Sequence, residues 1–117
     1  MPQTDPNLSR RRRLRFRQQL ERILLDSGQS AGNLHLYFEP PTSVSMKFPA
    51  IIYTKNRIEN RNANNRVYKQ DDEYLVTVVD KDPDSAINRA VSMLPKSRWE
   101  RGFVSNNMHH FIYTISE

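Results

Sequence analysis

Few residues in this chain have the types and spacing that chemistry requires, and each group can be weighed against what its chemistry needs. Asp80-Lys81-Asp82-Pro83-Asp84 puts carboxylates at positions 1, 3 and 5 of a would-be calcium loop. Position 6 is Ser85 rather than glycine, and position 12 is Val91 rather than a bidentate glutamate. Strand-end and helix-cap duty accounts for the three acids without a metal. His109 and His110 are adjacent on an expected strand, so their rings leave opposite faces and cannot grip one ion; His35 stands alone. The chain has no cysteine, which excludes thiolate zinc sites, cysteine nucleophiles and disulfides. No G-x-S-x-G context surrounds any serine, and three glycines in all leave no phosphate-cradling loop. A non-enzymatic protein without cofactor or metal is expected.

The remaining signal is charge. Residues 10–22 hold seven arginines and one glutamate, a net +6, whereas the whole chain is +5, so the rest is close to neutral. Arg10, Arg11, Arg12, Arg13, Arg15 and Arg17 form a basic arm. Such a run meets phosphates or an acidic protein surface, or is simply a solvated helix face. Arginine in place of lysine favours bidentate contacts and interfaces. A second candidate surface is the asparagine-rich stretch Lys55–Asp72, with Arg57, Asn60, Arg61, Asn62, Asn64, Asn65 and Arg66. Its composition reads as a long polar loop over residues 55–72, although Val67-Tyr68-Lys69 could already extend the central strand, and long loops in small domains are usually functional or disordered.

These surfaces need elements to position them. Residues 1–8 read as a flexible lead-in, and residues 9–117 as one domain, long enough for a single core. Ser9 or Asn7 caps a helix running to about Ser27, with Gly28 just past its end. Phe16, Leu20, Ile23 and Leu24 form its apolar face; Leu14 and Leu25 fall roughly opposite, which suggests a second covered surface. Arg10 to Arg13 then sit at the helix end that disfavours cations. Asn33–Glu39 alternates as a half-buried strand, and Phe48–Thr54 reads as another, with Pro49 at its start or on an edge.

Tyr74–Val79 is apolar on both alternating faces, as in an interior strand covered on both sides. Asp82-Pro83-Asp84-Ser85 opens a helix with a capping carboxylate; Ile87, Ala90, Val91 and Leu94 form its apolar stripe and Pro95 stops it. Arg98–Val104 and Met108–Ile115 flank Asn106-Asn107, a tight-hairpin pair, with Trp99 and Phe103 expected on one strand face. The expected class is α+β, in the order α-β-β-β-α-β-β. No apolar run approaches the ~18–20 residues that span a bilayer, and no signal peptide is expected, so a soluble cytosolic protein is the default.

Helix, three strands, helix is also the order of the double-stranded RNA-binding domain. Here the second helix opens with Asp82, Asp84 and Ser85, which would repel a phosphate, and the C-terminal hairpin has no place in that domain. The other resemblance covers nearly the whole chain from about Leu8. An N-terminal helix precedes L-H-L-Y-F-E-P-P and K-F-P-A-I-I-Y-T. Then V-Y-K-Q-D-D-E-Y-L-V-T-V-V-D-K-D-P-D-S leads into a short helix, and R-W-E-R-G-F-V-S-N-N-M-H-H-F-I-Y-T-I closes the chain. In this order and spacing it resembles the small tail terminator (tail-completion, head-to-tail joining) proteins of long-tailed bacteriophages.

That resemblance implies an α+β protomer that assembles with copies of itself as a ring, typically hexameric, on the end of the tail tube. Its other partners would be the tail tube protein and the head-side connector or completion protein. Its place would be the neck of the virion, after assembly in the host bacterial cytoplasm. The resemblance carries over no catalytic or ligand residue. It leaves open whether the protein is a tail terminator or a head-completion protein, and whether the arginines meet protein or passing DNA. A small basic-arm nucleic-acid-binding module is the alternative.

Overall fold

Backbone pairing turns the polar middle of the chain into its longest strands. The computed structural model describes residues 6–63 and 66–116, without the side chains of residues 6, 9 and 57–71. The elements are α1 (Pro6–Asp26), β1 (Leu36–Phe38), β2 (Ala50–Ala63), β3 (Arg66–Asp80), α2 (Ala86–Ser92), β4 (Ser97–Ser105) and β5 (Met108–Ser116). One mixed sheet has the strand order β1-β2-β3-β5-β4, with β1 parallel to β2 and every other pair antiparallel. The fold is α+β in the expected element order.

α1 begins at Pro6, three residues before Ser9, so residues 6–8 are helical rather than lead-in. A proline fits a first helical position because its missing donor would have no partner there. Arg10 to Arg13 thereby fall beyond the first helical residues, which relieves much of the conflict with the helix dipole. The helix ends as expected. Gly28 adopts φ 107°, its N–H donates to the Leu25 carbonyl at 3.1 Å, and Gln29 N–H donates to the Leu24 carbonyl at 3.2 Å. This paired closure needs a left-handed residue, which glycine supplies without strain.

Phe16, Leu20 and Leu24 of α1 and Ile87 and Val91 of α2 pack on Leu36, Ile51, Tyr53, Tyr74, Val76, Val78, Tyr113 and Ile115 of the sheet. Both helices therefore cover the same face. Phe16 stacks on Tyr74 with ring centroids 4.6 Å apart and meets Tyr53 edge-on at 6.0 Å. The cap of α2 is Ser85, whose Oγ accepts from Asn88 N at 3.1 Å, and not the expected carboxylate. Asp80 and Asp82 instead accept from the backbone N–H two residues on, at 3.1 and 2.9 Å, building successive turns.

Four further expectations change. The strand expected over 33–39 shrinks to Leu36–Phe38, ended by Glu39 at φ 44°. Residues 55–72 are not a loop: the β2–β3 ladder runs through them, from Lys55↔Tyr74 out to Ala63↔Arg66. Leu14 and Leu25 stay 49% and 40% exposed, so the outer side of α1 is uncovered. Trp99 and Phe103 do not share a face, because the register shift between Trp99 and Arg101 inserts Glu100. An inserted residue turns over every side chain beyond it. Trp99 meets Tyr113 on the helix side, and Phe103 meets His110 on the other.

Candidate interaction surfaces

The arginine run divides between packing and exposure. Arg13 lies over the Phe38 ring at 4.8 Å, and Arg17 Nη1 donates to the Tyr53 hydroxyl at 3.1 Å while its Nε sits 3.3 Å from Glu21 Oε1. Arg12 is half-buried, whereas Arg10, Arg11 and Arg15 are exposed. The run is thus partly how α1 adheres to the sheet, since a guanidinium covers an aromatic face without losing its charge. What it offers outward is a shorter basic patch than the sequence suggests.

The second candidate surface is the far half of the β2–β3 hairpin. β5 pairs with β3 only as far as Glu73↔Ser116, and β1 pairs with β2 only at Ile51, Ile52 and Tyr53. Among the described residues, the pairs from Ile58↔Asp72 to Ala63↔Arg66 therefore form a two-stranded arm beyond the body. Asn64 and Asn65 lie outside the described residues. The side chains of Arg57, Asn60, Arg61, Asn62 and Arg66 do as well, and only their backbone places them on the arm. Because the N-terminal half of α1 packs on Phe38, Tyr53 and Tyr74, the arginine run and the arm root share one end of the molecule.

A third surface comes from the sheet itself. The sheet face away from the helices carries Ile52, Leu75 and Thr77, all half-buried, beside buried Ile112 and Thr114. On it Asn56, Glu73, Leu75, Arg98, Glu100, Arg101, Ile112 and Thr114 line a shallow depression of about 400 Å³. Glu73 Oε1 accepts from Asn56 Nδ2 at 2.8 Å, and Thr114 Oγ1 donates to Glu100 Oε1 at 2.8 Å. The signal for this face was the two-sided apolar pattern of β3. β3 is indeed interior to the sheet, but the helices cover only one of its faces.

The groups weighed for chemistry are dispersed. His110 stacks on Phe103 at 4.6 Å on the open face, and His109 stacks on Phe111 at 6.0 Å on the helix side. His35 Nδ1 lies 3.0 Å from the Pro49 carbonyl. Among the described residues, no three of His, Asp and Glu come together as a metal ion would need, and no helix is long and apolar enough to cross a membrane. No protein-family model, curated protein or solved structure matches the chain.

Proposed function

We propose that this protein is a structural component of a long-tailed bacteriophage that caps the tail tube as a ring and joins the tail to the head-side connector. The observation that carries the reading is the one-sided helix layer. Tyr74–Val79 of β3 is apolar on both faces, yet the helices cover only one, leaving Ile52, Leu75 and Thr77 half-buried beside buried Ile112 on the other. A second uncovered surface lies on the opposite side of the molecule. There α1 exposes Leu14 and Leu25, and Met93 after α2 is 79% exposed. A ring made of identical copies needs two different patches on each copy, one for each neighbour. The sheet face away from the helices and the outer side of α1, where Leu14 and Leu25 stand among charged and polar side chains, are two different surfaces of that kind on opposite sides of one sheet.

In this reading the partners are further copies of the chain, six in a typical ring, with the tail tube protein on one side and the head-side connector or completion protein on the other. The arm and the exposed arginines Arg10, Arg11 and Arg15 reach toward a neighbour or toward passing DNA. The protein's place is the neck of the virion. Substituting Leu75→Glu puts a charge in the middle of the open face. Supplied in place of the wild type during phage growth, this variant is expected to keep its far-UV circular dichroism while leaving heads and tails unjoined. Joined, infectious particles with Leu75→Glu would contradict the role given to this face.

A further inference from the structure

The arm leaves the body at a single step of the chain. Glu73 is the last residue of β3 paired with β5, and its β2 partner Arg57 follows a register shift at Asn56. A two-stranded ribbon is marginally stable by itself and bends readily where it leaves a sheet, and a bulge at the root adds local twist. Nothing in the backbone pairing alone would hold such an arm to one direction.

At that step the chain places two consecutive carboxylates, Asp72 and Glu73, which are 0% and 4% exposed. Alternation sends them to opposite faces of the sheet. On the helix side, Asp72 Oδ1 lies 3.7 Å from Lys55 Nζ. On the open side, Glu73 Oε1 accepts from Asn56 Nδ2 at 2.8 Å, and its Oε2 lies 3.9 Å from Arg98 Nη2. Lys55 and Asn56 are themselves consecutive on β2, so the two strands of the root are tied on both faces at once. Arg98 brings in β4, which lies beyond β5.

Buried carboxylates at the edge of the sheet body are costly beside the largely apolar Tyr74–Val79 that follows them in β3. Their best-attested use is to fix one geometry among several. We propose that Asp72 and Glu73 form a two-sided clamp that fixes the direction of the β2–β3 arm relative to the sheet and presents it to a partner as a rigid lever. This goes beyond the ring reading, because it holds whether or not the chain caps a tail tube.

The test is a distance distribution in the full chain, where the absence of cysteine makes two introduced thiols unique. Nitroxides at Asn60→Cys on the arm and Ser105→Cys at the end of β4 report the arm direction by pulsed electron paramagnetic resonance. The parent pair is expected to give a narrow distribution, and Glu73→Gln and Asp72→Asn to widen it about two-fold as the arm swings. Arg98→Ala removes only an exposed partner, so the core stays intact, and a smaller widening is expected. A parent distribution already as wide as those of the variants would overturn the clamp. So would an unchanged width in the folded Glu73→Gln and Arg98→Ala proteins. Should Asp72→Asn or Glu73→Gln fail to fold, the Arg98→Ala width decides.

Discussion

Phe16 of α1 and Tyr74 of β3 lie face to face, ring centroids 4.6 Å apart and planes 13° from parallel. Both are fully buried, and Tyr53 closes on each ring edge-on, at 6.0 and 6.3 Å. This cluster binds the arginine-bearing helix to the strand that continues into the arm. Phe16→Ala is expected to destabilise the protein by about 3–5 kcal/mol, the usual cost of emptying a large aromatic site. Urea denaturation followed by circular dichroism checks it, and a loss below about 1 kcal/mol would show that the site collapses freely.

Features set by a few neighbouring residues were legible in the sequence, and those set by pairing at a distance were not. Gly28 ends α1 because only the residues around it decide that closure, and Asn106 and Asn107, at φ 51° and 62°, make the tight turn their types suggest. In the sequence the arm reads as a loop, because Arg57–Ala63 and Arg66–Asp71 lack apolar alternation. Those strand segments are set by the ladder they continue. The insertion at Glu100 was likewise invisible, since nothing in Trp99–Phe103 announces which residue the partner strand will skip. The acids Asp72 and Glu73 could have drawn notice, because consecutive charges entering an apolar strand must reach both of its faces.

The two candidate caps of α2 separate in one comparison. Ser85→Ala removes the Oγ that accepts from Asn88 N and is expected to cost about 1 kcal/mol. Asp84→Ala touches no such bond and should fall within about 0.5 kcal/mol of wild type. Equal losses in thermal melts would return the cap to the carboxylate.

Gly102 lies under Trp99: a Cβ there would stand 2.9 Å from Cη2 of the indole. Gly102→Val should therefore lift the half-exposed ring off the strand. A red-shifted tryptophan emission with modest loss of stability is the expected outcome, read from the single tryptophan of the chain. An unshifted spectrum would mean that the strand, not the ring, gives way.

Burial pushes the Tyr113 phenol above its ordinary 10.0, with its hydroxyl donating to Asn88 Oδ1 at 2.5 Å. The raised folded value means that the unfolded chain loses this proton first. Below pH 10 the group favours neither state; above it the unfolded state gains, so stability falls as pH rises toward the folded value. Absorbance titration at the phenolate band should lose a late-ionising component in Tyr113→Phe. Its persistence in that variant would assign the late step elsewhere.

The exposed arginines separate the two functional readings. Three phosphate contacts from Arg10, Arg11 and Arg15 would give a salt slope of only about −3, so duplex affinity is expected to be weak and gone by moderate salt. Tight binding that survives physiological salt would favour a nucleic-acid module. Charge reversal at Arg10, Arg11 and Arg15 is expected to impair head–tail joining, and unchanged particle assembly would remove the exposed part of the run from the interface.

The central claim, that the chain ends a tail tube and joins it to a head, is tested most directly by electron microscopy of a lysate from a genome in which this gene has been inactivated. Filled heads beside separate, overlong or ragged tails are expected. Normal, joined particles would contradict it.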